Sequence, residues 1–402
     1  MALPLAVERI KRKSKVPSFT TVTDLIGAWK PAEPVYVLHP EQFRKAAQAF
    51  LTGFPGETMY AVKANDTAPV LDLLWDAGIR HFDVASLHEV RAIRSRFPSA
   101  RMSFMAPVRP NGATAEAFHV HGVRAFAIDT QFELNRLLRE TGADHNVTYA
   151  HGLTVFVRMV VPSEGAALEL SSKFGVDPAG GAELLKAIAA IGAKPALTFH
   201  VGSLSTDPQA YVRALKVCRE TIDLAGVRVQ AIDVGGGFPI AYPGVEQPPL
   251  SDFFAAIAQA RKDMGFDPSI QFLCEPGRAL VADGVSVLTQ VNMRRGDALF
   301  LNDGIYGSLN EYVVPNWPVQ YPLTVYATNA GKISEKRGPA MPYRVFGPTC
   351  DTLDKLPVKL SLPDALAPGD WVMFGQMGAY SAALRTSFNG FYPDAFAIVT
   401  GA

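Results

Sequence analysis

The chain has no excess charge: 38 Lys and Arg stand against 38 Asp and Glu. The densest basic run, Lys11-Arg12-Lys13 with Lys15, falls in the first fifteen residues, where a solvated terminus is the ordinary explanation. A nucleic-acid surface therefore has no support. Only three of 402 residues are cysteine, and Cys218, Cys274 and Cys350 are widely spaced without a C-x-x-C pair. Neither a disulfide framework nor a zinc site is indicated, so reduced thiols and no bound metal are expected. No apolar run is long enough to cross a bilayer, and the stretch from Met1 to Ala6 is too short and too quickly charged for a signal-peptide core. The expectation is a soluble, cytoplasmic protein without a membrane partner. Internal repeats and low-complexity segments are also missing, as is a G-x-G-x-x-G turn after the first strand.

What is present is alternation. Short β-branched or aromatic runs recur at Met59 to Val62, Arg80 to Val84, Met102 to Met105, Arg124 to Ile128, Thr154 to Met159, Ala196 to His200, Val229 to Val234 and Gln271 to Cys274. Stretches of helical apolar spacing lie between them, such as Val70 to the glycine stop at Gly78, and Ala182 to Ile191. Eight strand-helix units predict an α/β fold with a (β/α)₈ TIM-type barrel over residues 37–281; an open doubly wound sheet is the alternative and rarely needs eight units. Beyond residue 281 the helical period fades. Val285 to Val291, Asp297 to Leu301, Leu323 to Tyr326, Tyr343 to Phe346, Trp371 to Phe374 and Phe396 to Val399 read as strands between Pro and Gly turns. A C-terminal mostly-β domain of residues 282–402, completed by residues 1–36, is expected to add to the active site.

Barrels collect chemistry at the carboxyl ends of their strands, and here those ends carry Lys63, Asp83, Arg158, His200, Gly235-Gly236-Gly237 and Glu275. A lysine leaving a strand is most often a solvated loop residue, but a desolvated one can act as an amine nucleophile toward an aldehyde cofactor. Three successive glycines let backbone N–H groups converge on a phosphate, in the loop where barrels tend to bind one. After the eighth strand, Glu275 could keep a pyridine nitrogen protonated and Arg278 could meet the phosphate, with an ordinary Arg-Glu surface pair as the plain alternative. His200 could stack on a ring and Ser203 reach the phosphate. Cys274 reads as packing, whereas Cys350, flanked in its loop by Pro348 two residues before it and Asp351 directly after it, reads as the reactive thiol.

Taken in order, Tyr60-Ala61-Val62-Lys63-Ala64-Asn65, Phe82-Asp83-Val84-Ala85-Ser86, His200-Val201-Gly202-Ser203, Gly235-Gly236-Gly237-Phe238-Pro239, Glu275-Pro276-Gly277-Arg278, Gly347-Pro348-Thr349-Cys350-Asp351 and Gly378-Ala379-Tyr380 resemble the alanine-racemase-fold, pyridoxal-phosphate-dependent amino acid decarboxylases. The ornithine and lysine decarboxylase branch is the most similar, and the likeness runs from about residue 35 to 395. It implies pyridoxal 5'-phosphate bonded to Lys63, His200 against the ring and Glu275 on the pyridine nitrogen. Asp83, Glu89 and Arg158 would shape the ring's surroundings. Ser203, Gly236, Gly237, Arg278 and Tyr380 would bind phosphate, and Gly277 would also meet the cofactor. It further implies a homodimer with shared sites, in which Cys350, the proton donor, and Asp351 reach the other subunit's pocket. Lys173, in Ser171-Ser172-Lys173-Phe174-Gly175, falls in the family's mobile loop.

The substrate implied is a basic amino acid, L-ornithine or L-lysine, with putrescine or cadaverine as product and polyamine biosynthesis as the setting. Asp351, with Cys350 and Tyr306, would read it. Many ornithine decarboxylases carry a second acid in a Tyr-Asp pair where this chain has Val314-Pro315. Glu311 is a candidate replacement, while Tyr312, Trp317 and Pro318 are candidates for a pocket suited to a larger side chain. The alternatives are a decarboxylase of carboxynorspermidine, diaminopimelate or a conjugated ornithine, and, in other classes, a racemase or a catalytically silent regulatory homologue. Glu275 and Cys350 argue against the racemase.

Overall fold

A computed structural model describes residues 16–161, 173–314 and 319–401. All eight expected barrel strands are present and differ from expectation only at their ends, at His81–Val84, Arg101–Phe104, Ala125–Ile128, Thr154–Arg158, Lys194–Thr198, Ala231–Asp233 and Gln271–Cys274 after a first strand that is split in two. Its halves, Glu57–Thr58 and Tyr60–Ala61, flank Met59. The first half pairs parallel with Gln271–Cys274 and the second with His81–Val84. Met59 N–H donates to the carbonyl of Cys274 (2.8 Å), so the break costs no backbone hydrogen bond and closes the parallel ring.

Side chains fill the ring. Met59, Met105, Ala127, Phe156, Ala196, Ala231 and Leu273 form one buried cluster inside it, large residues facing small ones as a packed barrel requires. Outside, helices lay apolar faces on the strands. Gln209–Ala225 buries Ala210, Tyr211, Ala214, Leu215, Cys218 and Ile222 at three- and four-residue spacing and stops at Gly226, whose φ of 63° favours glycine. Each large apolar side chain so buried contributes on the order of 1.5–3 kcal/mol, and Cys218 is one of these packing groups. At the strands' amino ends, Glu57 stitches the closure. It contacts His81 Nδ1 (2.6 Å), accepts from Gln271 Nε2 (2.6 Å) and pairs with Arg101. These contacts join the strands at the end away from the carboxyl rim, consistent with a stabilising role.

The second sheet has ten strands. Val285–Arg295 pairs antiparallel with both Val35–Leu38 and Trp371–Phe374, and Ala395–Val399 lies parallel to Val35–Leu38. Three strands here were not expected: Ser18–Phe19, Lys332–Glu335 and Leu360–Pro363. Lys332–Glu335 has too few apolar residues to show a strand pattern. It returns along Leu323–Asn329 after Ala330 and Gly331, both at positive φ, the geometry of a tight hairpin. The helix Val22–Trp29 is also additional, and its capping box between Thr21 and Asp24 was its available signal. Among the described residues no helix is long and apolar enough to cross a membrane, and no group of three or more His, Cys, Asp and Glu side chains could hold a metal ion.

Candidate active site

At the carboxyl rim of the barrel lies a cavity of about 450 Å³. It is lined by Lys63, Asp83, Arg158, His200, Ser203, Gly236, Gly237, Glu275, Gly277, Arg278 and Tyr380, so the residues expected to meet the cofactor are gathered there with the exception of Glu89. Met105, Ala106, Pro107 and Phe174 add an apolar wall, and Lys173 lines it too. Lys63 leaves its strand in a single 3₁₀ turn, Val62–Ala64. Its Nζ lies 3.1 Å from Asp83 Oδ2, with 43% of the side chain open and Asp83 buried. Burial alone would discharge the amine. Asp83, then Glu275 and Tyr380, overcome that and hold its ammonium form above the usual lysine range.

Beneath Lys63, two acids are buried together. Asp233 accepts Thr198 Oγ1 (2.7 Å) and the Gly235 N–H (3.0 Å). Its other neighbour is Glu275. Burial, and then Asp233, push Glu275 far above the ordinary carboxyl range, while burial pushes Asp233 up to about 6. Two carboxylates this close keep one proton between them. Glu275 Oε1 is buried and has no hydrogen-bond partner among the described residues, an orphan that a ligand N–H would satisfy. His200 is held neutral by burial and by Arg158 and Lys63. The Gly202 N–H donates to its Nδ1 (3.0 Å), so the ring proton sits on Nε2.

The glycines form a cradle. A Cβ at Gly236 would stand 2.7 Å from the Glu275 carbonyl oxygen and 3.1 Å from His200 Nε2. At Gly237 it would meet the Gly202 carbonyl oxygen at 2.2 Å, on a backbone with φ of 93°. Backbone N–H groups at such a place can approach an anion that side chains would shut out.

A family model for the pyridoxal-dependent decarboxylase pyridoxal-binding domain matches residues 40–282. The chain is 33% identical over 343 residues to a lysine/ornithine decarboxylase of Selenomonas ruminantium, covering 83% of this chain and 81% of the relative. It is 31% identical over 360 residues to an ornithine decarboxylase of Panagrellus redivivus, covering 83% and 77%. The chain belongs to the pyridoxal-dependent decarboxylases. Among solved structures, a Vibrio vulnificus lysine/ornithine decarboxylase complexed with putrescine superposes with a TM-score of 0.78 at 26% identity, covering 95% of this chain and 99% of that one. The orphaned Glu275 oxygen, the lysine and the glycine cradle fit pyridoxal phosphate, the cofactor of this family.

The decarboxylase keeps its remaining expected residues elsewhere. Cys350, Asp351 and Tyr306 do not line the cavity. Tyr306 hydroxyl donates to Asp351 Oδ2, and Cys350 Sγ contacts Asn389 Oδ1 (3.3 Å) on the exposed β-rich face. The Leu353 N–H and then Tyr306 hold Asp351 below its ordinary carboxylate range. Buried Asp354 ties this loop down, accepting from Ile305 N–H (3.0 Å), Thr349 N–H (3.0 Å) and Thr349 Oγ1 (2.7 Å). Gly304 and Gly347 are glycine because a Cβ at either would lie within 2.3 Å of an Asp354 oxygen.

Glu89, expected near the ring, caps its own helix entry by accepting the Ala85 N–H (2.5 Å) and is absent from the cavity wall. Glu311, expected to read the distal amine, is turned away from the cavity and buried on Arg278. Pro315, Trp317 and Pro318, and Ser171 and Ser172 of the expected loop, lie outside the described residues. Asp233 is the participant that sequence reading left unremarked inside the strand run Val229 to Val234. An acid ending a buried strand was the signal available.

Asp303, at the root of the Tyr306 loop, is fully enclosed and accepts from Gly304 N–H (2.8 Å) and Ser308 N–H (3.1 Å). Burial pushes it from 3.8 up to about 6. The native state therefore binds a proton that the unfolded chain has already released. The stabilisation is complete below about pH 4 and is lost as pH rises through about 6. Asp303→Asn should flatten the fall in unfolding free energy between those limits, by about 2–3 kcal/mol at most. Urea unfolding at intervals from pH 4 to 7 measures it, and an unchanged slope would refute the assignment.

Proposed function

We propose that this chain decarboxylates a basic L-amino acid, L-ornithine or L-lysine, yielding putrescine or cadaverine as a cytoplasmic homodimer with shared sites. The observation that carries the reading is the convergence of Lys63, neutral His200 and the orphaned Glu275 oxygen on one cavity ending in the glycine cradle. Lys63 would hold the cofactor's aldehyde carbon and yield it to the substrate amine. Glu275 would keep the ring nitrogen protonated, His200 would cover one ring face, and Ser203, Arg278 and Tyr380 would hold the phosphate with the glycine N–H groups. Bound pyridoxal phosphate supplies the electron sink into which the Cα–carboxylate bond breaks. The apolar wall of Met105, Ala106 and Pro107 excludes water from that side and favours loss of the charged carboxylate.

Cys350 would then return a proton to Cα from the other subunit, and Asp351 would pair with the distal ammonium. The names of the Selenomonas and Vibrio relatives support a substrate of this class, and three free cysteines suit a reducing compartment.

Carbon dioxide release from the cofactor-loaded protein, offered L-ornithine, L-lysine, diaminopimelate and carboxynorspermidine separately, tests the reading. At least about tenfold preference for ornithine or lysine is expected, roughly the 1.4 kcal/mol of a modest ionic contact. Asp351→Ala should raise the KM for that substrate while changing kcat less. Silence on both diamino acids, with turnover of either larger substrate, would overturn the assignment. A protein that gains no visible absorption with the cofactor would instead favour the silent homologue.

A further inference from the structure

The β-rich region sends one carboxylate against the barrel's cofactor pocket. Glu311 stands in the short turn Asn310–Val313, 33 residues from Arg278 in sequence and wholly enclosed with it. Arg278 donates from both terminal nitrogens, to Oε2 at 2.8 Å and Oε1 at 2.5 Å. Tyr321 hydroxyl donates to Oε2 (2.8 Å) and Arg278 also donates to Tyr242 hydroxyl (3.1 Å). The guanidinium carbon lies 5.0 Å over the Tyr380 ring, on the cavity side. Both oxygens of Glu311 are therefore occupied, and Arg278 stands between it and the cavity. Arg278 lines the cavity and Glu311 does not, so a substrate ammonium in the cavity meets the guanidinium and not this carboxylate.

A buried guanidinium without a counter-charge is strongly destabilising. Whatever anion enters the cavity meets a cation already balanced from behind. We propose that Glu311 is a positioning residue that balances the charge of Arg278 and so lowers the pocket's affinity for phosphate, rather than a group that reads the substrate's distal amine. The inference rests on the cavity being the pyridoxal phosphate site. It makes the phosphate side a cup of mostly neutral donors, with the glycine N–H groups, Ser203 and Tyr380 carrying more of the load.

The test uses Glu311→Gln, which keeps the shape and removes one charge. In cofactor-free protein, thermal unfolding against inorganic phosphate should report at least fivefold tighter phosphate binding than wild type, because the anion now neutralises Arg278. Affinity for pyridoxal, which lacks the phosphate, should not change. The KM for the preferred amino acid at saturating cofactor should stay within twofold. Phosphate affinity that is unchanged or weaker would overturn the proposal. So would pyridoxal affinity moving in parallel, which marks general damage, or a tenfold rise in KM, which marks a substrate contact.

If Glu311→Gln does not fold, Arg278→Met with Glu311→Met removes both charges together. That pair should fold as firmly as wild type and keep most of its response to phosphate, carried by the glycine N–H groups, Ser203 and Tyr380; a complete loss would show that Arg278 carries the phosphate and overturn the proposal. Failure of the pair to fold would show that packing, and not charge balance, is what Glu311 supplies. The phosphate titration needs no turnover, so a failure here is separable from a wild-type protein that takes up no cofactor at all.

Discussion

Lys63→Ala should abolish the visible absorption of the cofactor-loaded protein and cut carbon dioxide release by at least about 10³-fold, the scale of removing a covalently acting side chain. Two effects are removed together, because Lys63 is also the ion-pair partner of Asp83. Lys63→Arg separates them. The guanidinium keeps a positive charge beside Asp83 but stays protonated and is no nucleophile. If chemistry is the role of Lys63, both variants are equally dead while Lys63→Arg retains more of the wild-type melting temperature. Substantial absorption in either variant would remove Lys63 from the site.

A mixed preparation should regain what its parents lack. Cys350→Ala alone should turn over slowly and lose part of its product to misplaced proton return. Combined by co-expression with Lys63→Ala, it should recover about one quarter of wild-type activity, because in the proposed shared-site homodimer random pairing makes half of the dimers mixed, each with one intact site. The structure motivates this through distance and surface. Cys350 is outside the cavity of its own chain, and Leu353, Leu384, Phe388 and Phe391 near it are left exposed, an apolar face that suits a protein partner. No gain on mixing, with dimers verified by sedimentation, would place Cys350 and Lys63 in the service of one and the same chain.

Much of the barrel and its rim was legible because both depend on local pattern. A buried parallel strand must be a short apolar run, and a group placed just after such a run reaches the same rim as every other strand end. Lys63, Asp83, Arg158, His200 and Glu275 could be aligned on that rule alone. Contacts that join distant stretches were not legible. Nothing near Glu311 announces that both its oxygens will be taken by Arg278, and a free acid near the pocket was the natural reading. The proton shared by Asp233 and Glu275 likewise follows from their burial side by side. Lys332–Glu335 escaped notice because its partner strand, and not its own composition, makes it a strand.

The split first strand has a consequence for the order of assembly. Glu57 and Thr58 find their ladder partners only at Leu273 and Cys274, and Val35–Leu38 waits for Ala395–Val399. As the chain emerges from the ribosome, an unpaired edge at Glu57–Thr58 must persist until Leu273 and Cys274 have been made, and one at Val35–Leu38 until residues 395–398 have. Long-range pairings of this kind are slow to form and leave aggregation-prone edges in the interval. Removing Ala395–Val399 would thus leave Ser18–Phe19 without its partner strand and open one edge of Val35–Leu38, and yield during overexpression should be limited by how long the nascent chain is shielded rather than by the stability of the finished fold.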